Sequence, residues 1–274
     1  MSINDFNPEK VLIFDIRGPI AHFRKYYTNS SSLSYLFPPR TVVVGLIAGL
    51  LGLPSERHTR NKEEIYYEKF SKDKCFVAVS MRTKVRRLMQ SINYIKTKTD
   101  KYNKYSFEAL VTGTRGPPTQ IPLEILLPEN SCDELTYRIY FYHVELNDKY
   151  DELKKRLDAQ RFIYPPYMGL TEFLASIDYI DEGIISINQN QKVELNSVCK
   201  LREVELDFDD NNLQYNTEKM PTGFLSDRTP LPPEEYVMEV KGNIMKAKLK
   251  EHASCFSVKY SERERNLIEN IMFM

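Results

Sequence analysis

The chain has 274 residues, enough for one large domain or two small ones with a sizeable core. Lysine plus arginine equals aspartate plus glutamate at 38 each, so the formal net charge is zero. The basic excess from which a nucleic-acid binder is usually argued is absent, although a neutral chain can still gather its cations on one face.

The four cysteines, Cys75, Cys132, Cys199 and Cys255, are scattered and form no CxxC pair, which reads as core thiols in a reducing compartment. The N-terminus, MSINDFNPEK, is polar and lacks the basic and apolar regions of a signal peptide. These features lead us to expect a cytoplasmic protein without a membrane segment.

Residues 10–16, KVLIFDI, are apolar and β-branched and predict a buried first strand, ended by Gly18-Pro19. Residues 21–34 have no clean period and read as a loop. Pro38-Pro39 suit the position just before a helix, and a helix follows over 40–51, closed by Gly52 and Pro54. Its apolar run is too short to cross a bilayer and reads as a buried core helix. Gly45 and Gly49, four apart, suggest close approach to a neighbour.

Residues 74–84 alternate and predict a second strand, followed by a basic stretch over 84–104. Residues 122–127, 135–146 and 177–187 predict further strands, and 150–159 a short amphipathic helix. From about residue 191 the chain shows short strand-like runs at 193–208 and 236–240, interrupted by prolines. The order strand, helix, strand, insertion, strand, helix, strand fits the ferredoxin-like split βαβ plan, which RNA-recognition (RRM-like) modules share.

No motif for catalysis or metal binding is complete. His22, His58, His143 and His252 are isolated, and there is no Walker A loop, GxSxG elbow or dinucleotide fingerprint. No cofactor is expected. His22 with Lys25 and Tyr26 supplies the residue types a metal-independent ribonuclease needs, but without a specific pattern.

Two stretches suit binding. The first combines Arg17, Arg24, Lys25 and Arg40 with Tyr26, Tyr27, Tyr35 and Phe37, a mixture suited to phosphates and splayed bases. Arg40-Thr41 also opens a helix, where free N–H groups favour an anion. A capped helix with a structurally paired arginine explains the same residues. The second stretch holds Lys84, Arg86, Arg87, Lys96 and Lys98 with Met89 and Tyr94 interleaved. It reads as an extended hairpin along an RNA backbone or as an ordinary surface loop.

The pattern Gly18-Pro19-x-Ala21-x-Phe23-Arg24, then Pro38-Pro39-Arg40-Thr41-x-x-x-Gly45-Leu46-Ile47-x-x-Leu50-Leu51-Gly52-Leu53, closely resembles the N-terminal signature of the CRISPR-associated Cas-five family. These are RAMP-superfamily subunits of type I Cascade complexes. Tyr164-Pro165-Pro166-Tyr167-Met168-Gly169 resembles a later family segment, and Glu269-Asn270-Ile271-Met272-Phe273-Met274 the tail of type I-B members.

The resemblance implies an α+β fold: a ferredoxin-like RAMP domain over 1–190 with a β-hairpin thumb at about 84–112, and a β-rich region over 191–274. It implies an antiviral-defence subunit that caps the 5′ handle of crRNA. Its partners would be the Cas-seven backbone subunit, the Cas-eight large subunit and, through the complex, target DNA. His22, Arg24, Lys25, Tyr26, Arg40 and Thr41 would then face the handle with Arg17, and the thumb residues would cross the RNA. The family branch that cuts precursor crRNA carries an adjacent Lys-His pair, and this chain has none, which favours a non-catalytic role. Two alternatives remain: a metal-independent ribonuclease using His22, Lys25 and Tyr26, and a module that makes protein contacts only.

Overall fold

The computed structural model describes residues 9–28, 31–94, 119–145, 147–208, 210–225 and 227–274. The chain opens with β1 (Lys10–Gly18), the two-residue strands β2 (Phe23–Arg24) and β3 (Ser34–Tyr35), and helix α1 (Arg40–Leu51). A short helix α2 (Tyr66–Lys69) leads to β4 (Cys75–Met81), then β5 (Val85–Tyr94), β6 (Thr119–Pro128), β7 (Leu135–His143), α3 (Asn147–Ala159) and β8 (Ser176–Asn188). The remainder is strand: β9 (Lys192–Leu195), β10 (Cys199–Lys200), β11 (Val204–Leu206), β12 (Tyr215–Met220), β13 (Glu234–Glu239), β14 (Met245–Leu249), β15 (Cys255–Glu262) and β16 (Arg265–Ile271).

Six strands form one antiparallel sheet in the order β16-β15-β8-β1-β7-β4. Within it, β1, β4, β7 and β8 are linked by α1 between the first two and α3 between the last two. The central strand β1 is buried on both faces, which explains a sequence apolar from Val11 to Ile16 except at Asp15. Leu12, Phe14 and Ile16 pack with α1 residues Val43, Ile47 and Leu50 and with α3 residues Leu153 and Leu157. Val11 and Ile13 pack on the opposite face with Tyr140, Ile185, Val258 and Ile271.

That second core is made by the sheet folding onto itself. Arg138 of β7 forks onto Asp15 of β1, with Nε–Oδ1 2.7 Å and Nη2–Oδ2 2.8 Å, and also reaches Glu262 of β15 at 2.8 Å. Arg82, just after β4, pairs with Glu269 of β16 at 2.5 Å, and Tyr140 donates to the same carboxylate. The backbone N–H of Met274 donates to Val77 of β4 at 2.9 Å. Strands β15 and β16 therefore curl over β1, β7 and β4, and the division expected near residue 190 is crossed by both sheet and core. Val198, Met220, Tyr236 and Met238 share the first core with α1.

Helix α1 has the bounds its sequence predicts. Pro39 precedes its first turn, and Gly52 closes it in the left-handed region at φ 69°, its N–H donating back to Gly49 at 3.1 Å. The expectation for Gly45 and Gly49 needs correction. A Cβ at either would meet nothing closer than 3.9 Å or 4.0 Å, so neither is required by close approach. The tight glycine is Gly169: its φ is +91°, and a Cβ there would stand 1.8 Å from the carbonyl oxygen of His22. The neighbouring Met168 carbonyl accepts from the His22 N–H at 3.0 Å. Of the cysteines, Cys75, Cys199 and Cys255 are buried as expected, whereas Cys132 is exposed. Among the described residues no helix is long and apolar enough to cross a membrane.

Gly169→Ala should lower unfolding stability by roughly 3 kcal/mol, combining backbone strain with the clash on His22. Gly45→Ala should raise it by about 0.5–1 kcal/mol through helix propensity. Urea unfolding of both variants checks the pair, and equal effects would contradict the geometry.

Candidate functional site

Strands β5 and β6 pair over their full length as a two-stranded antiparallel ribbon, from Val85↔Pro128 to Tyr94↔Thr119. The basic stretch therefore finds its partner at 119–128, beyond the 84–112 segment expected to hold the whole hairpin. Residues 95–118, with Lys96 and Lys98, lie outside the described residues, as does the side chain of Tyr94.

The base of the ribbon is fixed to the body. Along its second edge, β6 bonds to the loop after β1: Ala21 and Leu126 exchange backbone bonds at 3.1 Å and 2.9 Å. Ser32 and Glu124 make another at 2.9 Å. Beneath these lies a buried polar cluster. The Glu124 carboxylate accepts from the Ser34 N–H at 2.8 Å. Glu218 of β12 accepts from Lys25 Nζ at 2.5 Å and from Arg87 Nη2 at 3.1 Å. Lys25 also sits 5.4 Å from the centre of the Tyr35 ring. Buried charges survive when paired in this way.

Several residues expected at an RNA surface are instead interior. His22 is 1% exposed; its Nδ1 lies 2.7 Å from the Glu124 carbonyl and its Nε2 2.9 Å from Ser32 Oγ. Burial lowers its pKa below the ordinary imidazole value, and Arg24 adds to this against the hydrogen bond to Glu124. Arg40 is 2% exposed. Its Nη2 faces the carbonyls of Phe70, Ser71 and Cys75 at 2.9, 3.0 and 2.8 Å, and its Nη1 faces that of Thr222 at 3.3 Å. The guanidinium clasps α1 to the start of β4. Lys25 is held by Glu218, and Arg17 is engaged by Glu134 at 2.9 Å and Asp178 at 2.5 Å. Helix caps and core ion pairs draw on the same residue types as RNA contacts, which is why local composition does not separate them.

Others are at the surface. Tyr26 and Tyr27 are 56% and 51% exposed and stack edge to face, centroids 5.1 Å apart, with Arg24 exposed beside them. On the ribbon Arg86, Arg87, Leu88 and Met89 are all exposed, Met89 at 51%. Arg86 Nε donates to the Pro128 carbonyl at 3.2 Å, and Lys84 pairs with Glu129 at 2.5 Å. Thr41 is half-buried. Leu88 thus joins the candidate face, which also keeps Tyr27 of the first binding stretch. The exposure of Leu88 was legible in the sequence only as an apolar residue inside a basic run. His22, Lys25 and Tyr26 do not converge: two are interior with internal partners, and the third points to solvent. Among the described residues no group of three or more potential ligands is placed to hold a metal ion.

The neutral state of His22 has a pH consequence. Because its folded pKa is lowered, the unfolded chain takes up a proton first as pH falls below about 6.5, and the folded state loses stability. His143, lowered mainly by burial, acts in the same direction. Between pH 7.5 and 5 stability should fall, and His22→Asn should flatten that slope by up to about 1.4 kcal/mol per pH unit. Denaturant titrations at several pH values test this; an unchanged slope would mean the ring is not held neutral.

A family model described as CRISPR-associated protein (Cas_Cas5) matches residues 11–229. Curated proteins give no match. Among solved structures, the chain is similar to one described as a CRISPR RNA-guided surveillance complex, with 10% identity, a TM-score of 0.44, and coverage of 86% of this chain and 91% of that chain. It is also similar to a CRISPR protein from Archaeoglobus fulgidus, with 11% identity, a TM-score of 0.49, and coverage of 95% and 98%. The family match runs from β1 through the ribbon and past β12, and on that span the chain belongs to the CRISPR-associated Cas_Cas5 family.

Proposed function

We propose that this chain is a non-catalytic RNA-binding subunit of a type I CRISPR effector complex, holding the 5′ handle of crRNA. The observation that carries the reading is the β5–β6 ribbon. It presents Arg86, Arg87, Leu88 and Met89 to solvent while its base is bonded to the loop after β1. Guanidinium groups beside exposed apolar side chains suit a nucleic-acid strand, the first neutralising phosphate and the second packing on bases. Tyr26 and Tyr27, with Arg24, extend the face with stacking surfaces.

In this reading the ribbon is the thumb, and Lys84, Arg86, Arg87 and Met89 act with the Lys96 and Lys98 segment. The linked β1, α1, β4, β7, α3 and β8 are the ferredoxin-like RAMP core. Arg17, His22, Lys25 and Arg40 act indirectly, by holding the loop and helix that carry the face. The Cas-seven and Cas-eight subunits are the proposed neighbours, and the type I-B assignment rests on the resemblance of the tail. The buried, doubly bonded His22 favours this over a nuclease, since a general base must reach the hydroxyl it deprotonates.

The test is a gel with end-labelled repeat RNA and a handle-scrambled control, in EDTA. Handle-selective retardation without a product is expected. Arg86→Glu with Met89→Ala should weaken it at least about tenfold and reduce its salt dependence, while leaving stability within about 0.5 kcal/mol. A discrete cleavage product lost in His22→Ala would overturn the reading.

A further inference from the structure

A cleft of about 300 Å³ opens beside the first turn of α1, and none of its walls belongs to the β5–β6 ribbon. Tyr66, Phe70, Phe224 and Leu231 make its apolar sides, and Arg40 and Lys72 line it as well. The size is at the lower end for small-molecule sites, and the lining mixes aromatic with charged side chains.

Its charge is unusual. The buried Arg40 guanidinium meets the carbonyl oxygens of Phe70, Ser71, Cys75 and Thr222 and the Cys75 thiol, and among the described residues no carboxylate lies within ion-pair distance of it. Its Nε has no hydrogen-bond partner. Lys72, half-buried, also makes no ion pair among the described residues. Burial lowers its pKa, and Lys200, Arg202 and Arg40 add to that shift, against Glu234. Two carboxylates lie at the cleft, Glu68 and Asp73. Asp73 is exposed and already accepts from Ser71 Oγ at 2.6 Å, so water and that hydroxyl screen it.

One wall is latched. The loop carrying Phe224 and Leu231 is closed by Arg228, whose φ is +65°, an uncommon conformation for a residue with a side chain. Its guanidinium lies 2.5 Å from Glu56 and 5.7 Å from the centre of the Tyr67 ring.

We propose that this cleft binds a mononucleotide, its ring against Tyr66 and Phe224 and its phosphate toward Arg40 and Lys72. Aromatic walls beside cations without an ion-pair partner match a planar ring joined to an anion, and an apolar ligand alone would leave Lys72 and the Arg40 Nε unanswered. The site goes beyond RNA contact on the ribbon and stands or falls separately from it.

Isothermal titration with AMP, adenosine and inorganic phosphate tests the proposal on the full chain. AMP should bind, and each fragment more weakly. Lys72→Glu should weaken AMP at least about tenfold, and added salt should weaken it further. Phe224→Ala should reduce AMP binding without changing the affinity for phosphate. Unchanged melting of both variants keeps the test on binding, and Arg86→Glu should leave AMP affinity intact even where it abolishes RNA retardation. Absence of AMP binding, equal affinity in Lys72→Glu, or phosphate binding as tightly as AMP would overturn the site. Release of bound AMP by 5′-phosphorylated RNA but not by 5′-hydroxyl RNA would also overturn the mononucleotide and make the occupant an RNA end.

Discussion

The contact between Gly169 and the His22 carbonyl is the constraint on which the rest of the exposed face depends. No side chain fits there, so the segment after α3 can press directly on the loop after β1. With that loop pinned, Ala21 and Ser32 are placed to bond the outer edge of β6. β6 is then bonded along both of its edges, to β5 and to the loop, where a free two-stranded ribbon is at best marginally stable. Exposed side chains farther along β5 inherit a defined position from a glycine distant in sequence. This matters for binding, since groups held in place before contact lose less entropy on binding.

Charge is sorted by burial. Arg138 and Arg82 hold the folded-over strands β15 and β16, Arg40 clasps α1, and Lys25 with Arg87 meets Glu218 under the ribbon. Apart from Arg40, whose Nε has no partner, these cations are answered inside the chain and contribute little to an outside ligand. A chain of zero net charge can still offer RNA a positive face, because Arg24 and Arg86 stand at the surface without a carboxylate partner among the described residues. Arg87 belongs to both groups: it is partly exposed yet bonded to the nearly buried Glu218. Through it, the ribbon and β12 share one ion pair.

Much of the core was legible in the sequence. The apolar run of β1, the Pro-Pro start and Gly52 end of α1, and the alternation of β4 are local signals, and the structure follows them closely. The hairpin β15–β16 was not legible. Its turn places Arg263 and Glu264 at positive φ, without the Asn-Gly or Asp-Gly pair that usually marks such a turn. Its strands carry charged residues that become comprehensible only once Glu262 and Glu269 meet Arg138 and Arg82. The return strand of the ribbon was visible as a strand, but its pairing with β5 was not, because a long intervening segment separates them.

The candidate site shows why residue type alone misleads at this kind of face. His22, Lys25 and Arg40 match RNA-binding chemistry as well as Arg24 and Arg86 do, and they are neighbours in the same stretch. What separates them is the distance in sequence to their partners: Lys25 finds Glu218, and Arg40 finds the carbonyls of Phe70, Ser71, Cys75 and Thr222. A short window holds no record of such pairings. An arginine clasping backbone carbonyls also has no acidic residue to betray it. Exposure, set by tertiary packing, decides which cations remain for a ligand. In this chain it leaves them on the ribbon, in the tyrosine turn and, at Lys72, beside the cleft at the start of α1.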